Sequence, residues 1–70
     1  MEVVIKFLRF ENQFGRNIAH GQLWYDQEGG SIIMSGSLAQ ILQVVYEKEL
    51  VLTNAHEILD SLVRIAGFAS

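Results

Sequence analysis

In Gly29-Gly30-Ser31-Ile32-Ile33-Met34-Ser35-Gly36-Ser37-Leu38-Ala39-Gln40-Ile41-Leu42 the apolar pattern changes period. Before Ser35 it is a short apolar run behind a turn at residues 26–30, which predicts a strand over residues 31–34. From Leu38 onward the apolar residues recur at helical spacing, and Ser37, with Gly36 ahead of it, is placed as the N-cap. At 100° per residue, Gln40, Gln43 and Glu47 fall on one narrow polar stripe. Leu38, Ala39, Ile41, Leu42, Val44, Val45 and Tyr46 spread over roughly 220° of the remainder, so this helix needs burial on more than one side. Lys48 and Glu49 would fall inside the apolar arc, which ends the helix near them. Leu50-Val51-Leu52 is then either a short extended link or a frayed last turn.

Downstream, Asn54 with Glu57 reads as a variant capping box that opens a second helix from residue 55 to about residue 66, stopped by Gly67. Its apolar set spans about 160°, and Glu57, Asp60 and Arg64 lie opposite, the last two at the favourable i,i+4 spacing. Upstream, residues 1–10 read as a strand and residues 12–17 as a hairpin loop with Gly15 available for positive φ. Residues 18–26 form the returning strand. In the first strand Met1, Val3, Ile5 and Phe7 are apolar, but so are Val4, Leu8 and Phe10, so both faces call for cover. The sequence therefore predicts an α+β fold with residues 1–70 as a single domain: a three-stranded antiparallel sheet followed by two helices packed on one face, in the order β-β-β-α-α. Trp24 and Tyr25 are neighbours and point to opposite faces, so at least one large aromatic lies on the open face. That face is expected to be buried in an oligomer or partner interface.

The chain has 70 residues, 50% hydrophobic and 19% charged, which is apolar for its size. Surface scaling gives roughly 100 kcal/mol from apolar burial, nearly cancelled by about 1.5 kcal/mol of ordering entropy per residue. Small domains close that gap with disulfides, a structural metal or a partner chain. With no Cys and only His20 and His56, self-association is the expected route, and neither a metal nor another cofactor is expected. The N-terminal apolar run is interrupted by Glu2, Lys6 and Arg9, so no export signal is read and a cytoplasmic location is expected. The longest uncharged run, residues 31–46, is too short and too polar to span a membrane. A net charge of −3 without clustering argues against a duplex nucleic-acid binder.

His56-Glu57-Ile58-Leu59-Asp60 has Asp60 where a helical zinc-protease motif has its second His, and two ligands do not hold zinc. His20 has no identifiable nucleophile beside it and reads as a half-exposed strand residue. Gly29-Gly30-Ser31 and Ser35-Gly36-Ser37 lack the spacing and Lys of a phosphate loop and are explained by a turn and a cap. Lys6, Arg9 and Arg16 interleave with Phe7, Phe10, Phe14 and Trp24 as in single-strand binders, although Lys and Arg stems lying over core neighbours explain the same pattern.

These features point to a non-enzymatic protein-protein interaction module: a homodimeric regulator, inhibitor or adaptor that binds a second, larger protein. Trp24, Tyr25, Phe14 and Arg16 are the expected partner-binding residues, being of the types that dominate interface energetics. The alternatives are a single-stranded nucleic-acid binder using the basic-aromatic first strand, and a small oligomeric enzyme with a site between subunits around His20 or His56.

Overall fold

The computed structural model describes residues 1–66. Gly67, the expected stop of the second helix, lies outside them. The elements are β1 (Glu2–Gln13), β2 (Arg16–Tyr25), β3 (Ile32–Ser37), α1 (Leu38–Glu47), β4 (Val51–Leu52) and α2 (Ala55–Ala66). The α+β class stands, but the sheet is four-stranded and mixed, in the order β3-β2-β1-β4, with β4 parallel to β1. The fourth strand, Val51–Leu52, is the extended alternative for the segment Leu50-Val51-Leu52. Val51 N–H donates to Met1 O and Thr53 N–H to Val3 O, both at 2.9 Å, so the segment satisfies outward carbonyls at the start of the chain's first strand and just before it.

β1 carries a bulge that its composition conceals. Lys6 pairs with Gln22 and Arg9 with His20, which leaves Phe7 and Leu8 opposite the single residue Gly21. The extra residue inverts the alternation. Val3 and Ile5 are buried on the helix side before the bulge; after it Leu8 packs on the core, while Arg9 is exposed. Two half-strands of opposite phase thus appear in sequence as one strand apolar on both faces. Phe7 takes the left-handed conformation at the bulge, φ 57°, and is largely exposed.

The loop expected at residues 12–17 is a two-residue turn. Phe14 and Gly15 have φ of 52° and 77°, and the ladder runs on through Asn12 with Asn17 and Gln13 with Arg16. β3 likewise continues beyond Met34 to Ser37, which pairs with His20 and also caps α1. Ser37 Oγ accepts from Gln40 N–H at 3.2 Å, and Gln40 Oε1 accepts from Ser37 N–H at 3.1 Å, closing a capping box. A Cβ on Gly36 would come within 2.7 Å of that Gln40 Oε1, so the box needs glycine there.

α1 ends in a Schellman motif. Glu49 has φ 52°, its N–H donates to Tyr46 O, and Leu50 N–H donates to Val45 O at 2.9 Å. The capping role expected of Asn54 is not what its side chain does. It is turned to β1: Oδ1 accepts from Ile5 N–H at 3.1 Å, and Nδ2 donates to Ile5 O at 2.8 Å and to the Glu57 carboxylate at 3.4 Å. Two backbone groups of β1 are satisfied by that amide, where an N-cap would satisfy one helical N–H.

The buried core consists of Val3, Ile5, Leu23, Leu38, Ile41 and Ile58, with Leu8, Tyr25, Met34, Leu50 and Leu62 among the residues packed around it. α1 lies across β2 and β3, and among the described residues α2 gives Ile58 to the buried core and packs Leu62 against it.

Candidate functional site

The sheet face away from the helices is mostly polar. Lys6 Nζ sits 4.7 Å from the centroid of the Trp24 ring, and the indole N–H donates to Gln22 Oε1 at 2.9 Å. Further along, Arg9 Nε lies 3.5 Å and His20 Nε2 3.1 Å from the Glu11 carboxylate, the latter without the alignment of a hydrogen bond. The bulge turns Leu8 inward, away from this face, while Val4 and Ile32, both paired with Trp24, remain on it.

The four expected partner-binding residues do not form one patch. Trp24 is half-buried on the open face, and Tyr25, the next residue, packs against the core on the other side. Phe14 and Arg16 are exposed at the far end of the β1–β2 ladder. Arg16 and Trp24 stand eight residue steps apart along β2, about 26 Å at strand rise.

The helices expose apolar side chains as well. Leu38 and Ile41 turn α1 inward, which leaves Leu42 and Tyr46, at i,i+4, exposed. In α2 the buried Ile58 faces the sheet, and Leu59 and Val63, also at i,i+4, are 59% and 44% exposed. Between the helices lies a groove of about 240 Å³ lined by Leu42, Leu52, Ala55, Ile58, Leu59 and Leu62, every one apolar. The sequence carried a signal for it in the apolar arc of α1, too wide for burial on a single side. The expected pattern of α2 misleads, because an apolar arc defines a face without saying whether this chain covers it.

A second cleft, of about 370 Å³, separates the bulge of β1 from α2 and has Asn54, Glu57 and Ser61 along its helical wall. Neither His20 nor His56 lines these two clefts. Among the described residues no three His, Cys, Asp or Glu side chains are grouped to hold a metal ion, and no helix is long and apolar enough to cross a membrane. Comparison with protein families, with characterised proteins and with solved structures finds no match to this chain.

Proposed function

We propose that the protein is a non-enzymatic protein-binding module, a small regulator, inhibitor or adaptor that works in self-associated form. The observation that carries this reading is the wholly apolar groove between α1 and α2, flanked by exposed Leu42, Leu59 and Val63. Apolar patches of this kind mark protein contacts more often than they are tolerated on a monomer. The hairpin tip, with Phe14 and Arg16, and the open face around Trp24 offer separate contact points for a larger protein. A role in binding single-stranded nucleic acid draws less support, because Lys6 already covers the Trp24 ring on which a base would stack. An enzymatic role draws less again, since neither His20 nor His56 lines either cleft and His56 is solvent-exposed.

The test is recovery of a tagged full-length chain from its host with and without nuclease, beside the His20→Ala and His56→Ala variants. A protein that co-purifies in a fixed ratio, regardless of nuclease and of either substitution, is expected. Nucleic acid recovered in its place, or loss of function in a folded His variant, would replace this reading with one of the alternatives.

A further inference from the structure

We infer that the chain pairs with a second copy of itself along the outer edge of β1 beyond the bulge, residues 8–12, in a two-fold antiparallel ladder centred on Phe10. This rests on the reading above that the chain self-associates, and it adds where. The edge has two parts. Before the bulge its outward backbone groups, at Met1, Val3 and Ile5, are taken by Val51, Thr53 and Asn54. Beyond the bulge, among the described residues, only β2 bonds the backbone of residues 8–12. Gln13 and Arg16 flank a two-residue turn and so form a hydrogen-bonded pair, which by alternation turns the backbone groups of Arg9 and Glu11 toward β2 and those of Phe10 and Asn12 outward. Such open groups are a template for another strand.

Symmetry and charge name the occupant. The bulge at Phe7 bounds the free stretch at one end and Gln13, the last residue before the turn, at the other, so Phe10 is its middle residue. A two-fold axis beside Phe10 sets each copy's Arg9 opposite the partner's Glu11, so the charge pair forms twice. Because Arg9 and Glu11 spend their backbone groups on β2, they face each other across the axis as non-hydrogen-bonded pairs, the kind whose side chains come closest. Within one chain the two side chains already lie 3.5 Å apart, so the two copies together close a cycle of alternating charge. Moving the axis by one residue either way would set Arg9 against Arg9 or Glu11 against Glu11, so the charges fix the register as well as the partner. On the helix side the same axis brings Phe10 against the partner's Phe10, at a cleft of about 270 Å³ that Leu8, Ser61 and Arg64 also line. The outer edge of β3 is the sheet's other margin, but Ile32–Ser37 carries no charge to set a register.

Sedimentation of the full chain between about 1 and 100 µM, a range that brackets moderate affinities, decides the matter. The parent should sediment at twice 7.9 kDa. Arg9→Glu and Glu11→Arg, at side chains 58% and 42% exposed, should each keep the fold by circular dichroism and weaken association about tenfold, because each sets like charges opposite one another at both facing pairs. An equal mixture of the two variants should associate as the parent does, since every facing pair is again opposite in sign. The pair within each chain stays like-charged in that mixture, so the recovery reports the contact between chains alone. A monomeric parent overturns both self-association and this edge. A dimer that neither reversal weakens, as one held through the groove between the helices would be, keeps self-association and overturns the edge; weakening without recovery in the mixture overturns it too. If a reversal does not fold, Arg9→Cys and Glu11→Cys copies of the chain, which has no native Cys, are mixed and oxidised. A disulfide joining unlike copies in preference to like ones is expected, and its absence overturns the proposal.

Discussion

Asn54 holds Ile5 by both of its backbone groups, Oδ1 accepting from the N–H at 3.1 Å and Nδ2 donating to the carbonyl at 2.8 Å, across 49 residues of sequence. A primary amide has the donor and acceptor of a peptide unit on adjacent atoms, so one side chain does what a paired strand residue would do. β4 ends at Leu52, and Thr53 and Asn54 carry its pairing two steps further without a strand. Asn54→Ala is expected to strand two part-buried backbone groups at a cost of about 2–4 kcal/mol. Asn54→Asp, which keeps the acceptor and loses the donor, should fall between. Urea unfolding of the three proteins reads the order, and a neutral Asn54→Ala would mean that water takes over both bonds.

Phe14 occupies the first central position of the tight turn at φ 52° while its side chain touches nothing, being fully exposed. Left-handed backbone costs an ordinary L-residue roughly 1–2 kcal/mol, and Asn bears it better. Phe14→Asn should therefore raise stability by about 1 kcal/mol, seen as a higher thermal midpoint at fixed concentration. A lower midpoint would show that Phe14 makes a contact in solution.

Gly21 lies beneath the bulge, where an added Cβ would meet Ile5 Cγ2 at 3.2 Å and Lys6 O at 3.4 Å. Ile5 belongs to the core and Lys6 O to the ladder, so neither yields freely. Gly21→Ala should destabilise by about 1–3 kcal/mol, with greater exchange of the Leu8 and Arg9 amides. Unchanged exchange at those two amides would refute the tight fit.

Ser37 and Gln40 are expected to be coupled. Each single change to Ala should cost about 1 kcal/mol, and the double change less than their sum, because the two bonds of the box are made by the same pair. Strict additivity in a denaturation cycle would dissolve the box. In the opposite direction, Glu49→Gly should stabilise by about 0.5–1 kcal/mol, since Glu49 stands at φ 52° in the closing turn of α1.

What the sequence conveys is bounded by what is local. Ser37 as a cap, the period of α1 and its end near Lys48 are all set by residues within a turn of one another, and they stand. The same sequence gave no sign of the bulge, because two apolar half-strands in opposite phase, joined at Phe7 and Leu8, resemble one strand buried on both faces. From that single reading followed the expectation of a greasy sheet surface. Leu50-Val51-Leu52 was undecidable for another reason: a two-residue strand has no period, and only the carbonyls of Met1 and Val3, some 50 residues away, make it extended. Of the candidate site, Trp24 on the open face was legible from alternation. The groove was legible only as the over-wide apolar arc of α1, since it also takes Leu59 from α2 and no local pattern encodes how the two helices sit together.

The long reach of Asn54 also orders events during translation. The β1–β2 hairpin can zip as soon as Tyr25 clears the ribosome, yet the outer edge of β1 meets none of its partners until Val51, Thr53 and Asn54 have cleared it too. At roughly 5–20 residues per second, that edge waits on the order of seconds. For that interval the nascent chain presents Met1, Val3 and Ile5 along an unpaired strand edge, the form most prone to join a neighbour's. A chain halted before Val51 should therefore form a hairpin and aggregate, while the bulge at Phe7, by breaking the ladder, confines the vulnerable edge to its first few residues.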